Sequence, residues 1–320
     1  MTRLIALLSY YLGITRLFYF LNRRAKRIVT FHNVMPERLL PQGKTIGLTD
    51  TEETFAMKIR EIQRFFTISN DLNDARSATI TFDDGYRNEI EIAQPLMKNL
   101  PGIIFTAGHE INNSQPENSL TIDLLLHWTH LVPNGKYLDF DVTDDREILW
   151  QQVIWPRFVQ DAENKGEKLL KTLDEAYPMK DILAQCSEEY LHLRLTGFST
   201  DEIENIRKQG WLVGWHTQNH YPLSRLSTDD KQFEIDTAAP DDMKNVVLSY
   251  PYGENASVDA ECLKIAENAG YPCAVSNLIN TGSMHGKFFL PRITLSNDKY
   301  LLHFELSGVK HFLKTRKLLS

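Results

Sequence analysis

The chain has 320 residues, 42% of them hydrophobic and 24% charged, the balance of a globular protein able to bury a substantial core as one barrel-sized domain or two smaller ones. Its formal net charge of −7 excludes the basic footprint that general nucleic-acid binding needs. Three cysteines, Cys186, Cys262 and Cys273, are odd in number and lack a C-x-x-C spacing; they read as reduced thiols in a cytosolic setting, not as a disulfide frame or a zinc site.

The first segment, "LIALLSYYLGITRLFYFLNRRAKR", is apolar and aromatic from Leu4 to Leu21 apart from Arg16, and no acid precedes Glu37. Its uninterrupted part is too short to span a bilayer, and no A-x-A cleavage site follows. An amphipathic helix over residues 1–28, packed on the main domain with a solvated basic end, is the expectation. Peripheral docking on an anionic membrane surface is the alternative, kept open by the basic C-terminal tail, 301–320, with its "VKHFLKTRKLLS".

"RIVTFHNV" then reads as a buried strand with His32 near its end, and "TEETFAMKIREIQRFF" as a helix with Phe55, Ile59, Ile62 and Phe66 at helical spacing. "ATITF" is a strand running into Asp83, residues 86–99 a helix with a proline inside, and "GIIFTA" another strand. This β-α-β-α-β order predicts parallel strands with helices outside. From about 115 to 197 strand runs vanish, so a helical insertion is expected within a domain spanning 29–300. Alternation resumes with "STDEIENIRKQG", N-capped at Ser199 or Thr200 and ended by Gly210, then "WLVGWHTQNH", "NVVLSYPYGE", "ASVDAECLKIAENAG", "YPCAVSN" and "FFLPRITLS". Trp128, Trp150 and Trp155 in the insertion are read as core, with a wall of a ligand cleft as the alternative.

Asp83 and Asp84 put two like charges at the end of an apolar run, an arrangement that persists where a cation or a shared proton offsets the repulsion; a polar turn is the plainer reading. His216 and His220, four positions apart, also follow an apolar run. Two imidazoles and one carboxylate make an open metal site in which water takes the remaining position. His32, the aspartate pair and the histidine pair all fall at C-terminal ends of predicted strands, the edge where parallel barrels collect catalytic groups.

"TFDDG", "HTQNH" and "YPYG", in that order, resemble the motifs of the polysaccharide deacetylase family built on the NodB homology domain (carbohydrate esterase family four), over a span from "VTFHNV" near residue 30 to "LPRITL" near 295. The resemblance implies an α/β fold, a distorted (β/α) barrel of about seven parallel strands, and metal-dependent removal of acetyl from N-acetylated sugars. It implies Asp84, His216 and His220 as ligands of one divalent metal ion, zinc first, with cobalt, nickel, iron or manganese also compatible. Asp83 becomes the general base, and the backbone N–H of Tyr252, on a turn fixed by Pro251, an oxyanion donor.

The chain departs from the family pattern twice. Many members carry an arginine before the Pro-Tyr of the third motif, where this chain reads "LSYPYG"; Arg292 in "LPRI" is the expected substitute, paired with Asp83. The late "L-x-x-H" motif also lacks an equivalent. His32 is therefore the expected general acid, with His303 and His311 as weaker candidates. Members acting on poly-N-acetylglucosamine exopolysaccharides are similar in carrying a His on the first strand, in a "YH" context that here is "FH".

The implied substrate is an N-acetylated glycan or glycan precursor, nucleotide-linked or lipid-linked if the enzyme is cytosolic or lies at the inner membrane face; an uncleaved N-terminal anchor would reverse that placement. Two alternatives stand beside the deacetylase: a catalytically weak carbohydrate-binding or assembly protein, and an amidohydrolase for another small amide or ester.

Overall fold

The computed structural model of the chain describes residues 2–164, 166–253, 256–277 and 286–319. Its centre is a parallel sheet of strands β1 (Arg27–Phe31), β2 (Ser77–Asp84), β3 (Ile103–Thr106), β4 (Leu212–Trp215), β5 (Leu248–Ser249), β6 (Ala274–Ser276), β7 (Leu290–Pro291) and β8 (Ile293–Thr294). They pair in the order β8-β1-β2-β3-β4-β5-β6-β7. Arg292 alone separates β7 from β8, so these two pieces act as one interrupted seventh strand. Its first half pairs with β6 (Val275 opposite Leu290) and its second with β1 (Val29 opposite Ile293), which closes the sheet into a barrel. A short strand, Thr67–Ile68, pairs alongside the start of β2.

All five residues of β1 and all eight of β2 are buried, as expected of parallel strands covered on both faces. Side chains alternate along each strand, so its two faces have different fates. Val29, Phe31, Ile80, Phe82, Ile104, Val213 and Leu248 join Phe55, Ile59, Ile62, Ile203, Ile206 and Ile265 from the surrounding helices in the main core. Ile28, Ile103, Phe105, Val247 and Val275, on the other face, form a smaller cluster. Asp83 has the parity of this second set and so points to the barrel interior. There Arg292 lies over the Phe105 ring, 5.6 Å from its centroid.

The outer helices begin where their sequences allow. Thr51 caps Glu52–Gln63 by accepting from the Thr54 N–H, and Ser199 and Glu202 form a reciprocal capping box at the head of Thr200–Lys208. The helix expected over 86–99 is reduced to a π-helical turn, Glu89–Ala93, and a short α-segment, Gln94–Met97. Pro95 accounts for this, because it lacks an N–H to continue the ladder.

Between β3 and β4 the chain makes its long helical excursion, including Thr121–Leu131, Trp155–Gln160, Glu167–Ala176 and Glu188–Leu195. Strand structure is not absent from it: Gly135–Tyr137 and Phe140–Val142 pair as an antiparallel hairpin whose turn holds Leu138 at φ 53°. The excursion has its own core around Leu125, Trp128, Phe158, Leu173 and Ile182, which also takes in Tyr86. Buried Arg194 pairs with Asp123, and the Tyr86 hydroxyl donates to the same carboxylate. Tyr86 directly follows the Asp83-Asp84-Gly85 turn, so this network ties the excursion to the end of β2.

The N-terminal segment is two helices, Thr2–Tyr11 and Ile14–Leu21, bent 80° at Gly13, whose φ of +76° suits glycine. Their packed side rests on helices Lys299–Leu306 and Val309–Thr315. Phe18 meets Phe312 at 5.2 Å, and Tyr19 stacks on Phe65 at 3.9 Å and shares a 2.9 Å hydrogen bond with His303 Nδ1.

Candidate active site

The C-terminal rim of the barrel gathers one group from nearly every strand end. Asp83 and Asp84 close β2, His216 follows β4 by one residue, His32 follows β1, Ser249 ends β5, and Arg292 sits in the break of the closing strand. Asp84 bends away from the strand at φ 87°, with Gly85 at φ 88°. That turn separates the two carboxylates: Asp83 stays in the barrel and Asp84 faces the histidines. A Cβ on Gly85 would lie 2.2 Å from Thr106 Oγ1, so both the backbone angle and the space require glycine there. Glu89 holds the turn from below, accepting from the N–H groups of Gly85 at 3.1 Å and Tyr86 at 3.2 Å.

Asp84 Oδ1 lies 3.2 Å from His220 Nε2 and 3.6 Å from His216 Nε2. One ligand atom from each of the three residues falls within 4.8 Å of the others, and all three residues are buried. His216 Nδ1 meets the Ser249 carbonyl at 2.8 Å; the carbonyl can only accept, so Nδ1 carries the proton and Nε2 keeps its lone pair. Asp84 Oδ1 is buried without a hydrogen-bond donor. Burial pushes His216 down to about 4, keeping it neutral, whereas His220, which burial would also lower, is raised by Asp84 beside it. An orphaned carboxylate oxygen facing two imidazole nitrogens fits a divalent transition metal, since oxygen-only ligation suits magnesium or calcium instead.

Asp83 is the other half of the site. Arg292 grips it with two parallel bonds, Nη1 to Oδ1 at 2.6 Å and Nη2 to Oδ2 at 2.5 Å, while Nη1 also reaches Thr81 Oγ1 at 3.2 Å. Both residues are 1% exposed. Burial alone would raise the Asp83 carboxyl, but the Arg292 guanidinium, then His216, overcome it and hold it below the usual carboxylate range. Oδ2 also lies 3.8 Å from His32 Nε2 and 3.9 Å from His216 Nε2.

Tyr252, at φ 60° on the Pro251-Tyr252-Gly253 turn, packs its ring on His220 (4.8 Å) and donates its hydroxyl to the His220 carbonyl at 3.1 Å. Trp155 packs on the other side of Tyr252 at 4.9 Å. The insertion therefore reaches the site through Trp155, although Trp128 is fully buried core. Nine non-glycine residues among those described have positive φ, and four of them, Asp84, Thr217, His220 and Tyr252, belong to this rim. Such backbone costs on the order of 1–3 kcal/mol per residue and concentrates where function over-determines it.

The structure thus brings together Asp83, Asp84, His216, His220, His32, Arg292 and the Pro251-Tyr252 turn. It keeps His303 apart, bonded to Tyr19 and beside Glu61 in the C-terminal helix packing, and His311 lies in the terminal helix. Sequence reasoning missed Ser249 and Glu89. Ser249 orients His216 through its carbonyl and contacts Asp83 through its hydroxyl at 3.4 Å; a serine has no motif for that. Glu89 did leave a trace, an acid four residues after the glycine it serves.

No protein-family model matches the chain and no curated protein matches its sequence. Solved structures match in fold. A polysaccharide deacetylase from Bacillus cereus matches with a TM-score of 0.51 at 12% identity, over 88% of this chain and 68% of that one. The deacetylase PplD from Streptococcus pyogenes, solved in complex with acetate, gives a TM-score of 0.49 at 12% identity over 91% of this chain and 97% of that one. The chain has the barrel fold of the Bacillus cereus deacetylase.

Proposed function

We propose that this chain is a metal-dependent hydrolase that removes N-acetyl groups from an N-acetylated glycan or glycan precursor. The observation that carries this reading is the convergence of Asp84, His216 and His220 beside an aspartate that is not one of them and is clamped by Arg292. Asp84, His216 and His220 would hold a divalent ion, zinc first; when bound, it supplies a Lewis acid that polarises the acetyl carbonyl and acidifies water.

Each remaining group has a task of its own. Asp83 takes the proton of the attacking water, its lone pairs aimed by the two Arg292 bonds. Arg292 is a positioning residue, since it acts through Asp83. The Tyr252 N–H donates to the oxyanion that forms on the acetyl group. His32 gives a proton to the departing amine, which leaves poorly without one. Trp155 and Tyr252 supply an aromatic wall against which a sugar face can pack.

The alternative, a weak binding protein, rests on two departures: no arginine precedes Pro251, and the late histidine motif lacks an equivalent. Arg292 delivers a guanidinium to Asp83 from the closing strand instead, which favours the hydrolase. The test is acetate release from N-acetylglucosamine oligomers by protein loaded with zinc, cobalt or nickel. Release that stops on chelation and returns with metal is expected. Glycan binding with no acetate under any metal would overturn the proposal in favour of the binding protein.

A further inference from the structure

Sixteen large hydrophobic side chains are exposed among the described residues; nine lie between Leu4 and Leu21, and two more, Leu313 and Leu318, at the other terminus. Leu4, Leu8, Tyr11, Leu12, Leu17 and Phe20 are each at least half exposed. The two N-terminal helices are therefore apolar on both sides. One side, carrying Ala6, Phe18 and Tyr19, is spent on the C-terminal helices and Phe65; on the other, Tyr11 touches Tyr300 and Arg23 lies over Phe20, while Leu4, Leu8, Leu12 and Leu17 join no apolar cluster among the described residues. A helix apolar all round belongs in a core or against lipid.

Charge identifies the occupant. Residues 1–26 hold five lysines and arginines and no acid, and residues 307–320 hold four and no acid. With nine positive charges there and −7 overall, the rest of the chain carries −16. Arg16, Arg23, Arg24, Lys314, Arg316 and Lys317 are exposed and have no acidic partner among the described residues. A second copy of the chain meeting this face across a two-fold axis would oppose like charges, whereas anionic headgroups would neutralise them.

We infer that the two N-terminal helices and the basic C-terminal helix form one surface that docks in the plane of an anionic phospholipid bilayer. The helices, ten and eight residues long, lay their outer leucines and phenylalanine among the acyl chains while the basic groups stay at headgroup level. Spanning is not part of this geometry: among the described residues no single helix is long and apolar enough to cross, and the pair is bent by 80°.

The test is flotation of the full chain with phosphatidylcholine vesicles, with and without phosphatidylglycerol, at low and high salt. Two or more basic contacts should make binding to the anionic vesicles at least about tenfold stronger than to the zwitterionic ones, and salt should weaken it. The triple variant Leu8→Glu, Leu12→Glu, Leu17→Glu should lose binding while its near-ultraviolet circular dichroism stays that of the wild type. Equal binding to both vesicles, no binding at low salt, or wild-type binding by the triple variant would each overturn the inference. So would sedimentation showing a lipid-free dimer that the triple variant dissolves, because the surface would then belong to a second copy.

Discussion

Asp83→Asn is expected to lower acetate release by about 10²–10⁴-fold, the range contributed by a positioned proton acceptor, while metal content stays at the wild-type level. Asparagine keeps the shape and can still accept one bond from Arg292, but its amide cannot take a proton from water at neutral pH. Asp84, His216 and His220 do not depend on Asp83 for their placement: His216 is fixed by the Ser249 carbonyl at 2.8 Å, and the Asp84 turn by Glu89 and Gly85. Turnover measured beside elemental analysis separates the two roles. Wild-type turnover with full metal would remove Asp83 from the chemistry.

Arg292→Met is expected to destabilise the fold by about 3–5 kcal/mol, the usual effect of removing one partner from a buried pair. Arg292 and Asp83 are both 1% exposed, so the carboxylate left behind is a buried charge that has lost its two short bonds. The position matters for a second reason, because residue 292 links the halves of the strand that closes the barrel. Urea unfolding of Arg292→Met, Asp83→Asn and the double variant would show the coupling: the double variant should be more stable than the sum of the singles predicts. Arg292→Lys should recover part of the turnover lost in Arg292→Met, since it restores the charge without the fork that aims both oxygens. A strictly additive cycle, or a methionine variant as stable as the wild type, would mean that the pair is not a structural unit.

The barrel was legible because its strands are short β-branched runs that end in chemistry. "ATITF" and "WLVGW" each deliver a polar group at the rim, and the parallel order follows from the helices between them. The histidine pair and the aspartate pair were legible as candidate ligands from residue type and spacing, whereas the choice of Asp84 over Asp83 rested on the resemblance to the deacetylase motifs. The Arg292–Asp83 contact could be named from the sequence only as a substitute for an absent arginine; its geometry depends on β7 and β8 being one interrupted strand, which no local pattern announces. Other features were hidden for physical reasons. The single N-terminal helix breaks because Gly13 takes a left-handed angle, and the insertion hairpin turns at Leu138, where no Asn-Gly or Asp-Gly marks a turn. Trp155 meets both readings of the sequence, core and cleft wall: it packs on the cluster around Trp128 and also on Tyr252 at 4.9 Å. Helical spacing reports an apolar face without saying what covers it.

The most direct measurement is the metal content of the purified wild-type protein beside its Asp84→Ala variant, each then assayed for acetate release. About one transition-metal ion per chain is expected in the wild type, the occupancy of a single three-ligand site, with loss of both metal and acetate in the variant. A wild-type protein that takes up no metal even after reconstitution, or an Asp84→Ala variant that keeps its metal and its turnover, would contradict the claim that Asp84, His216 and His220 form the catalytic centre.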